Sequence, residues 1–577
     1  MKVLDVQNLN VQYHTEKGNF DAVSALSLSI EEGEITGLVG QSGCGKSTAV
    51  RAIMGISAEN AEVEYENLSL DGEIPVPGHN IAMIFQDSQN CLNPSVKIGK
   101  QIAETVKNRR KCTKKEAVKR ALELLDLVGI RNPALRMKQY PFELSGGMRQ
   151  RVVIAIALAC DPRLIVADEP TTALDGAVQA QILGLLRKVV RETKTALLLV
   201  SHDLGVIASL CSRVYVMEKG QVVESGTAEE IFYSPEQEYT KQLIKNAGKM
   251  HFRTEKEKVK KEILLRTEHL TKEYHTKEGV RDLSFELYKG ETFALVGESG
   301  SGKTTLARVL SGILKSDSGM IDDRSKNRAQ MVFQDPYGAL NPCLTVGQAL
   351  EEAIRKTVPD PWLRRQKAED ILRLSGLRET VRNRYPRELS GGERQRAGIA
   401  RALVCDPELL ICDEAFSSLD ASTRDGLLEL FGTLQREQAL TCLFISHDMK
   451  AVARISGRMG VLFRGELVET GRTRSVCTDP WHPYTKQLLL SVPAPDPLRA
   501  GRKKGILFRE KSTELPGREG GAHRGCPFAE NCPYAMDCCR EETPDSYVFG
   551  ERTVKCFLYS EEHSGRRAEG YKMTSQI

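Results

Sequence analysis

Two glycine-rich stretches have the residue types and spacing needed to bind phosphate groups. GQSGCGKST begins at Gly40 and GESGSGKTT begins at Gly297, and each lies between a short apolar run and a segment of helical periodicity. Their glycines allow backbone N–H groups to surround phosphate oxygens, while the following helix N-terminus adds partial positive charge. Lys46 and Lys303 are predicted to reach the β- and γ-phosphates. The predicted phosphate contacts are Gly40, Ser42, Gly43, Gly45, Lys46, Ser47, Thr48, Gly297, Ser299, Gly300, Gly302, Lys303, Thr304 and Thr305.

Two acidic pairs are predicted to complete the chemistry of ATP hydrolysis. LIVADE and LLICDE are buried-strand patterns that end in Asp–Glu, and the next apolar strand after each pair ends near a histidine. Successive residues of a strand face opposite ways, so the aspartate can hold Mg²⁺ while the glutamate polarises an attacking water. The predicted Mg²⁺ ligands are the loop hydroxyls and these aspartates, namely Ser47, Asp168, Thr304 and Asp413. The predicted catalytic residues are Glu169, Glu414, His202 and His447.

The elements that must position these residues are written twice in the chain. Three positions of the first copy lie 245 residues before their counterparts, in the pairs Ser145 and Ser390, Glu169 and Glu414, and His202 and His447. The loop lysines lie 257 residues apart, so the segment after the loop is about a dozen residues shorter in the second copy. The repeat predicts two similar domains, each with strands that alternate with helices.

The composition excludes several classes of protein. At 577 residues the chain is too long for one hydrophobic core, and 41% hydrophobic with 27% charged residues is ordinary for a globular protein. The net charge of +4 gives no electrostatic case for a nucleic-acid partner. Its apolar runs are shorter than the roughly 20 residues that cross a bilayer. The start, MKVLDVQNLNVQYH, lacks a signal-peptide pattern, so a cytosolic protein is expected.

The stretches LSGGMRQR and LSGGERQR resemble the signature motif of the ATP-binding cassette (ABC) ATPases. The resemblance implies an α/β fold with two tandem P-loop NTPase domains. Each would contain a RecA-like core, an antiparallel β subdomain and a helical subdomain. It implies cassettes at residues 1–250 and 265–492, a charged linker at 251–264 and a short Cys-rich extension at 493–577.

The same resemblance implies further contacts with ATP and Mg²⁺. IFQD and VFQD match the family's Q-loop, whose glutamine contributes to Mg²⁺ binding, and the tyrosine of each YHT matches the residue that stacks on adenine. The signature serine and glycines contact the γ-phosphate held by the opposite cassette. These implied contacts are Gln86, Gln334, Tyr13, Tyr274, Ser145, Gly146, Gly147, Ser390, Gly391 and Gly392.

An intramolecular head-to-tail dimer of cassettes follows from the resemblance, with one chain per transporter. One site would combine the Lys46 loop with the signature at Ser390, and the other would combine the Lys303 loop with the signature at Ser145. Both copies keep the glutamate, the histidine and the signature, so two hydrolysing sites are expected. The second copy departs from the commoner EPT-type sequence in EAFSSLD, which begins at Glu414.

Two classes of function fit twin cassettes: the motor of a transporter whose membrane subunits are separate chains, and a soluble ATPase that acts on ribosomes. QDSQNCLNP, QDPYGALNP and the closing segments SPEQEYTKQLI and DPWHPYTKQLL resemble the ATP-binding subunits of dipeptide, oligopeptide and nickel importers. This resemblance implies two integral-membrane permease subunits, an extracytoplasmic solute-binding protein and a peripheral position on the cytoplasmic face of the membrane. The solute would be a dipeptide or oligopeptide, with nickel, a metallophore or a glutathione-like solute as alternatives.

A cysteine cluster lies near the end of the chain. Four thiolates of a cytosolic protein suit tetrahedral zinc and an iron–sulfur cluster about equally by spacing alone, and a site without metal is the third alternative. The tail GCPF…CPYAMD resembles the ends of peptide-importer motor subunits, and that resemblance implies a 4Fe-4S cluster. The implied ligands are Cys526, Cys532, Cys539 and Cys556, with Cys538 left over.

Overall fold

The structure is a computed structural model. It describes residues 1–15, 18–85, 91–171, 174–247, 250–253, 262–274, 278–325, 328–416, 421–438, 440–498 and 525–561. Two compact units result, one from the described residues within 1–249 and 492–507, the other from those within 250–491 and 508–577. Among the described residues, no helix has the length and apolar character needed to cross a membrane.

The first unit contains two sheets. Its described strands form a four-stranded antiparallel sheet from Lys2–Thr15, Gly18–Glu31, Ala61–Glu64 and Asn67–Leu70. A second, six-stranded sheet is parallel except at one edge, in the spatial order Gln221–Thr227, Arg213–Glu218, Ile35–Val39, Ala196–Ser201, Leu164–Asp168 and Ile81–Ile84. The three central strands of this sheet are fully buried, as expected where helices cover both faces.

Helices of the first unit follow the strands or form a separate helical segment. The helices that follow strands of the parallel sheet are Lys46–Ile53, Gly176–Thr193 and Leu204–Leu210. The helical segment comprises Ile98–Arg110, Lys114–Leu127, Pro133–Arg136 and the 3-10 turn Pro141–Glu143, and leads into Gly146–Ala159. The unit closes with Ala228–Tyr233 and Glu238–Ala247.

The second unit repeats this plan and enlarges it. Its described antiparallel strands are Ile263–Glu273, Gly279–Tyr288 and Ser318–Asp323. Its mixed sheet has eight described strands, in the order Ala329–Val332, Leu409–Asp413, Thr441–Ile445, Thr292–Val296, Arg458–Phe463, Glu466–Arg472, Arg552–Val554 and Tyr547–Phe549. The last two strands come from the Cys-rich extension, so the extension lengthens the sheet of the second cassette.

The helices of the second unit match those of the first. They are Lys303–Leu310, Pro336–Ala339, Val346–Ala353, Pro361–Leu374, Gly391–Leu403, Ala421–Gln438, Met449–Ile455, Thr473–Thr478 and Pro483–Ser491, with 3-10 turns at Glu379–Asn383 and Pro386–Glu388. The extension adds Cys538–Glu541 and the 3-10 turn Phe557–Tyr559.

The predicted fold class is confirmed, because each unit joins an α/β core to an antiparallel sheet and a helical segment. In each parallel sheet the phosphate-loop strand lies next to the strand that leads to the histidine, and the acidic-pair strand follows on its far side. Carboxyl ends of parallel strands meet at one edge, which is where such folds bind ligands. The predicted domain limits stay a prediction, although residues 492–498 belong to the first unit.

Candidate ATP sites and cysteine centre

The glycine loops have the backbone that the sequence predicts. Gly45 and Gly302 cap the helices that follow them, with φ of 99° and 103°. A Cβ atom at Gly45 would lie 2.4 Å from the carbonyl oxygen of Ala22, and one at Gly302 would lie 2.4 Å from that of Gly279. Both the positive φ and the close backbone therefore require glycine at these two positions.

The loop lysines are buried against their own loops. Lys46 Nζ donates hydrogen bonds to the carbonyl oxygens of Gly40 and Gln41, each at 2.8 Å. Lys303 Nζ makes the same two bonds in the second cassette, to Gly297 and Glu298, also at 2.8 Å. These bonds fix the ammonium groups inside the curve of the loop, next to the N–H groups that face phosphate in such loops.

The loop hydroxyls meet the aspartates of the acidic pairs. Ser47 Oγ donates to Asp168 at 3.3 Å, and Thr304 Oγ1 donates to Asp413 at 3.2 Å. Burial raises the pKa of both aspartates above its usual value, against the opposing effect of these hydrogen bonds. A buried hydroxyl–carboxylate pair is the oxygen donor set that Mg²⁺ prefers, and the bound cation would stabilise the charged carboxylate.

The glutamates are not placed by simple strand alternation. The strands end at Asp168 and Asp413, and Glu169 and Glu414 adopt left-handed backbone with φ of 48° and 47°. This conformation costs a non-glycine residue about 1–2 kcal/mol. The Glu169 N–H donates to Val200 O in the neighbouring strand at 2.9 Å, so the sheet itself holds the turn. Occurrence of the same turn in both cassettes marks it as a feature of the site.

Each glutamate faces the histidine that the sequence pairs with it, but the distances differ. His202 Nδ1 lies 2.6 Å from Glu169 Oε1, whereas His447 Nδ1 lies 3.7 Å from Glu414 Oε2. Gln334 Nε2 donates to the same oxygen of Glu414 at 2.9 Å. Burial raises the pKa of Glu414, but the neighbouring His447 and the charge of Lys303 outweigh burial and leave that pKa lowered. A lowered pKa keeps the carboxylate ionised, as a general base must be.

Several predicted residues lie apart from these contacts. Gln86 lies outside the described residues. Tyr13 is half-buried in the first antiparallel sheet, and Tyr274 is 40% exposed after the corresponding strand of the second sheet. Adenine stacking by either ring stays a prediction.

The signature serines cap the helices they begin. Ser145 Oγ accepts from the Met148 N–H, and Ser390 Oγ accepts from the Glu393 N–H. The second glycine of each signature packs tightly, because a Cβ at Gly147 would lie 2.6 Å from Val178. The equivalent Cβ at Gly392 would lie 2.6 Å from Thr423. The glycines leave the two helix N-termini without side chains, and each N-terminus carries partial positive charge. The resemblance assigns the γ-phosphate contact to these N-termini.

Sequence reasoning missed a tyrosine and a glutamate that support each phosphate loop. Tyr239 and Tyr484 lie in the repeated YTKQL segment, and the hydroxyl of each accepts a hydrogen bond from the phosphate loop, at Gln41 N and Glu298 N. Glu224 anchors the helix of Tyr239 by accepting from the N–H groups of Glu236 and Gln237, and Glu469 anchors that of Tyr484 by accepting from those of Trp481 and His482. The 245-residue spacing of the YTKQL segments was the available signal, but spacing alone does not show which element a side chain contacts.

The cysteine centre is a small enclosed space in the extension. Four thiols line one cavity together with apolar side chains and His482; the thiols are those of Cys526, Cys532, Cys539 and Cys556. Cys538, the residue left over by the resemblance, does not line it. The backbone N–H of Cys526 donates to Cys539 O at 2.7 Å, which ties the two ends of the segment together. The structure thus brings the four implied ligands to one cavity.

Within the described residues, no group of three or more His, Cys, Asp or Glu side chains has the spacing to hold a metal ion. Burial raises the pKa of Cys532 and of Cys556 to about 12 and raises that of Cys526. Without a cation these thiols therefore stay protonated, whereas a bound metal stabilises thiolates. The chemistry of four sulfurs around one apolar cavity suits a thiolate-bound metal or cluster, although in the described structure their spacing is not that of a metal site.

Comparison with known proteins identifies the chain's relatives. The family model described as ABC transporter matches residues 23–172 and 280–417. The model described as oligopeptide/dipeptide transporter, C-terminal region, matches residues 468–539. The glutathione import ATP-binding protein GsiA of Salmonella choleraesuis (strain SC-B67) is 38% identical over 571 residues, covering 88% of this chain and 92% of the relative. The protein of the same name from Escherichia coli (strain K12) is 36% identical, with 89% and 92% covered.

Among solved structures, the complex of archaeal ribosomal stalk protein aP1 with the archaeal ribosome recycling factor aABCE1 is similar, with a TM-score of 0.55 and 24% identity. The match covers 79% of this chain and 88% of that chain and shows the fold alone. The curated relatives and the carboxyl-terminal model agree with the importer class over nearly the whole chain. The chain therefore belongs to the ABC transporter family and is a tandem ATP-binding subunit of the oligopeptide/dipeptide importer type, an ATPase whose hydrolysis is coupled to transport.

Proposed function

We propose that this chain powers the uptake of short peptides, with glutathione, itself a tripeptide, as the first solute to test. The observation that carries the proposal is the match of residues 468–539 to the oligopeptide/dipeptide transporter region, on a chain that keeps two complete phosphate loops. The relatives named for glutathione import cover 88% of this chain, which favours glutathione within the peptide class. Nickel and metallophores are the alternative solutes of the same importer class.

We infer two composite ATP sites, each made from the phosphate loop of one cassette and the signature of the other. Lys46 and Lys303 bind the β- and γ-phosphates in these sites, and the capped signature helices direct their N-termini at the γ-phosphate. Ser47 with Asp168, and Thr304 with Asp413, would hold Mg²⁺, which neutralises phosphate charge when bound. The contacts of these pairs in the structure support that assignment.

In each site the glutamate after the strand receives the proton of the attacking water. His202, 2.6 Å from Glu169, orients that carboxylate and donates toward the γ-phosphate. Glu414 has the equivalent role beside His447, and its lowered pKa supports that role. Gln334 bonds to Glu414, which links this base to the Q-loop of the second cassette.

We propose two integral-membrane permease subunits as the direct partners, with an extracytoplasmic solute-binding protein acting through them. The chain would then be peripheral, on the cytoplasmic face of the membrane, with its two cassettes closing head to tail as one motor per transporter. Closure on ATP and opening after hydrolysis would drive the permease. Co-purification with two hydrophobic membrane proteins supports this assembly, and co-sedimentation with ribosomes in their absence overturns it.

Uptake in cells tests the solute. A strain that lacks the chain is complemented with the wild-type chain or with Glu169→Gln/Glu414→Gln, and uptake of labelled glutathione, a labelled dipeptide and Ni²⁺ is measured. We expect the wild-type chain alone to restore uptake of glutathione. Restoration of Ni²⁺ uptake without peptide or glutathione uptake would contradict the proposed solute class while leaving the motor intact.

We propose that Cys526, Cys532, Cys539 and Cys556 hold a 4Fe-4S cluster, with zinc as the alternative. Their shared cavity and the absence of Cys538 from its lining support this ligand set. A cluster bound there would cross-link four points of a short extension that has few elements of its own. Purified protein should be brown, with iron and sulfide present. Cys532→Ser should remove the colour and Cys538→Ser should keep it, whereas one equivalent of zinc in colourless protein would contradict iron.

A further inference from the structure

The phosphate loop of the second cassette is held at both backbone polar groups of one residue, Glu298. The N–H of Glu298 donates to the hydroxyl oxygen of Tyr484 at 3.0 Å, while the carbonyl of Glu298 accepts from Lys303 Nζ at 2.8 Å. The tyrosine comes from the helix Pro483–Ser491, 186 residues further along the chain. The Tyr484 hydroxyl therefore fixes Glu298, the residue whose carbonyl accepts the hydrogen bond from Lys303.

The first cassette contains the same arrangement. The N–H of Gln41 donates to the hydroxyl oxygen of Tyr239 at 3.1 Å, and the carbonyl of Gln41 accepts from Lys46 Nζ at 2.8 Å. Glu224 fixes the start of the tyrosine's helix by accepting the N–H groups of Glu236 and Gln237. Two independent copies of one contact, at equivalent positions, point to a role in the loop that both cassettes share.

The surroundings of the two tyrosines differ. Tyr484 is fully buried, with its ring centroid 4.4 Å from that of Phe463 and 5.6 Å from that of Phe528. Phe528 belongs to the Cys-rich extension and also lines the cavity of the four thiols. The neighbouring carbonyl of Pro527 accepts from Arg464 at 3.2 Å, which fixes Phe528 over the tyrosine. One side chain of the extension thus connects the cysteine cavity to the tyrosine that holds the loop.

In the first cassette a charged residue stands in the place of one of these aromatic rings. Glu218 occupies the position equivalent to Phe463, and its charge acts on Tyr239, which is only half-buried. The first unit has no counterpart of residues 525–561 among the parts of the chain that the structure describes. Of the two tyrosines, the described part of the extension therefore contacts Tyr484.

We propose that Tyr239 and Tyr484 are positioning residues for ATP binding, and that the Cys-rich extension, through Phe528, stabilises the loop of the second cassette alone. Damage to the cysteine centre then lowers ATP affinity at one of the two sites. This inference rests on the proposed ATP sites and makes ATP binding at one of them depend on the extension. Phe528 and Tyr484 act through the loop and touch no nucleotide.

Single-site chains separate the two loops. Lys46→Ala leaves the second loop intact and Lys303→Ala leaves the first, in the full-length chain. Binding of a radiolabelled non-hydrolysable ATP analogue is measured at equilibrium. Loss of one hydrogen bond should raise the dissociation constant by about two- to tenfold. Tyr484→Phe should do so in the Lys46→Ala chain only, and Tyr239→Phe in the Lys303→Ala chain only.

Phe528→Leu keeps an apolar side chain and tests the link to the extension. We expect it to raise the dissociation constant in the Lys46→Ala chain and to leave the Lys303→Ala chain unchanged. In the chain with both lysines, Tyr484→Phe should raise KM more than it lowers kcat. Hydrogen exchange of the core strand Thr441–Ile445 should stay unchanged, which a general loss of stability would not allow.

Two outcomes overturn the inference. Equal affinity with and without the Tyr484 hydroxyl in the Lys46→Ala chain removes its positioning role. Equal effects of Phe528→Leu in both single-site chains remove the link to one cassette. Failure of the parent Lys46→Ala and Lys303→Ala chains to bind the analogue is a different result, because it contradicts the proposed ATP sites themselves.

Discussion

Replacing Arg552 by methionine should loosen the extension from the second cassette. The side chain of Glu469 is 0% exposed, and its carboxylate accepts from Arg552 at 2.6 Å and 3.2 Å. It also accepts the N–H groups of Trp481 and His482, which begin the segment leading to Tyr484. The Arg552 guanidinium lies 3.9 Å from the centroid of the Trp481 ring. This ion pair therefore joins an extension strand, a cassette strand and the closing helix.

The expected cost follows from what the methionine leaves behind. Removing one partner of a buried ion pair costs about 3–5 kcal/mol, because the other charge stays buried. Two backbone donors to Glu469 remain, and Glu224 of the first cassette accepts the equivalent pair in a more exposed position, where the Thr240 side chain and the charge of Lys241 also stabilise its carboxylate. We therefore expect the lower end, about 3 kcal/mol, which is about a hundredfold in a local opening equilibrium.

Hydrogen exchange measures this local opening, since unfolding of two units in one chain need not be a single transition. Peptides covering residues 547–559 and 466–485 should exchange about a hundredfold faster in Arg552→Met. Arg472→Met is the matched control, because its pair with Glu551 is exposed on both sides (50% and 44%) and should contribute at most about 1 kcal/mol. Equal protection in the two variants would refute the reasoning from burial.

Three further outcomes are expected. Glu169→Gln/Glu414→Gln should lower ATP hydrolysis by about 10²- to 10⁴-fold with ATP binding retained, and persistent hydrolysis by the purified variant would remove these residues as bases. Gly45→Ala should weaken ATP binding more than Gly43→Ala. A Cβ at Gly45 would lie 2.4 Å from Ala22 O, whereas a Cβ at Gly43, where φ is 79°, would have open space around it. Equal effects of the two substitutions in a binding titration would mean that the positive φ alone determines the loss. Glu393→Met copies Met148 of the first cassette and removes the capping box at Ser390, so exchange in the first turn of Gly391–Leu403 should quicken by about three- to sixfold, and unchanged exchange would contradict a capping role.

Local patterns were enough to predict the fold and to locate the two glycine loops in the sequence. A glycine loop between a strand and a helix has few alternative structures, and its repetition fixes the domain plan. The positive φ of Glu169 and Glu414 was not predictable in the same way, because strand alternation gives no sign of where the strand ends. The Lys303–Glu414 distance of 3.9 Å likewise depends on that turn.

Contacts between residues far apart in the sequence could not be predicted either. The extension strand Arg552–Val554 has three residues, too few for any periodicity to reveal that it joins the sheet of the cassette. The tyrosine contacts with the phosphate loops span 198 and 186 residues. In each case the residue types were visible, but the partner became identifiable only once the sheets had placed the two segments together.

The phenylalanine of EAFSSLD in the second cassette has a packing explanation. Phe416 is 3% exposed and its ring lies 5.8 Å from that of Phe431 and 5.5 Å from that of Phe444. The equivalent positions of the first cassette hold Thr171, Leu186 and Leu199, so the three residues change together as one core cluster. Such a coordinated change keeps the interior filled and leaves the catalytic groups in place.

The described contacts of the two glutamates differ between the cassettes. Glu169 has a histidine at 2.6 Å, whereas Glu414 is 3.7 Å from its histidine and accepts a hydrogen bond from Gln334. The hydrogen bond from Gln334 occupies one acceptor position of the Glu414 carboxylate and leaves other positions for a water. Gln334→Ala should therefore change turnover at the second site, and a Gln334→Ala chain that turned over this site at the unchanged rate would contradict a role for the contact between Gln334 and Glu414.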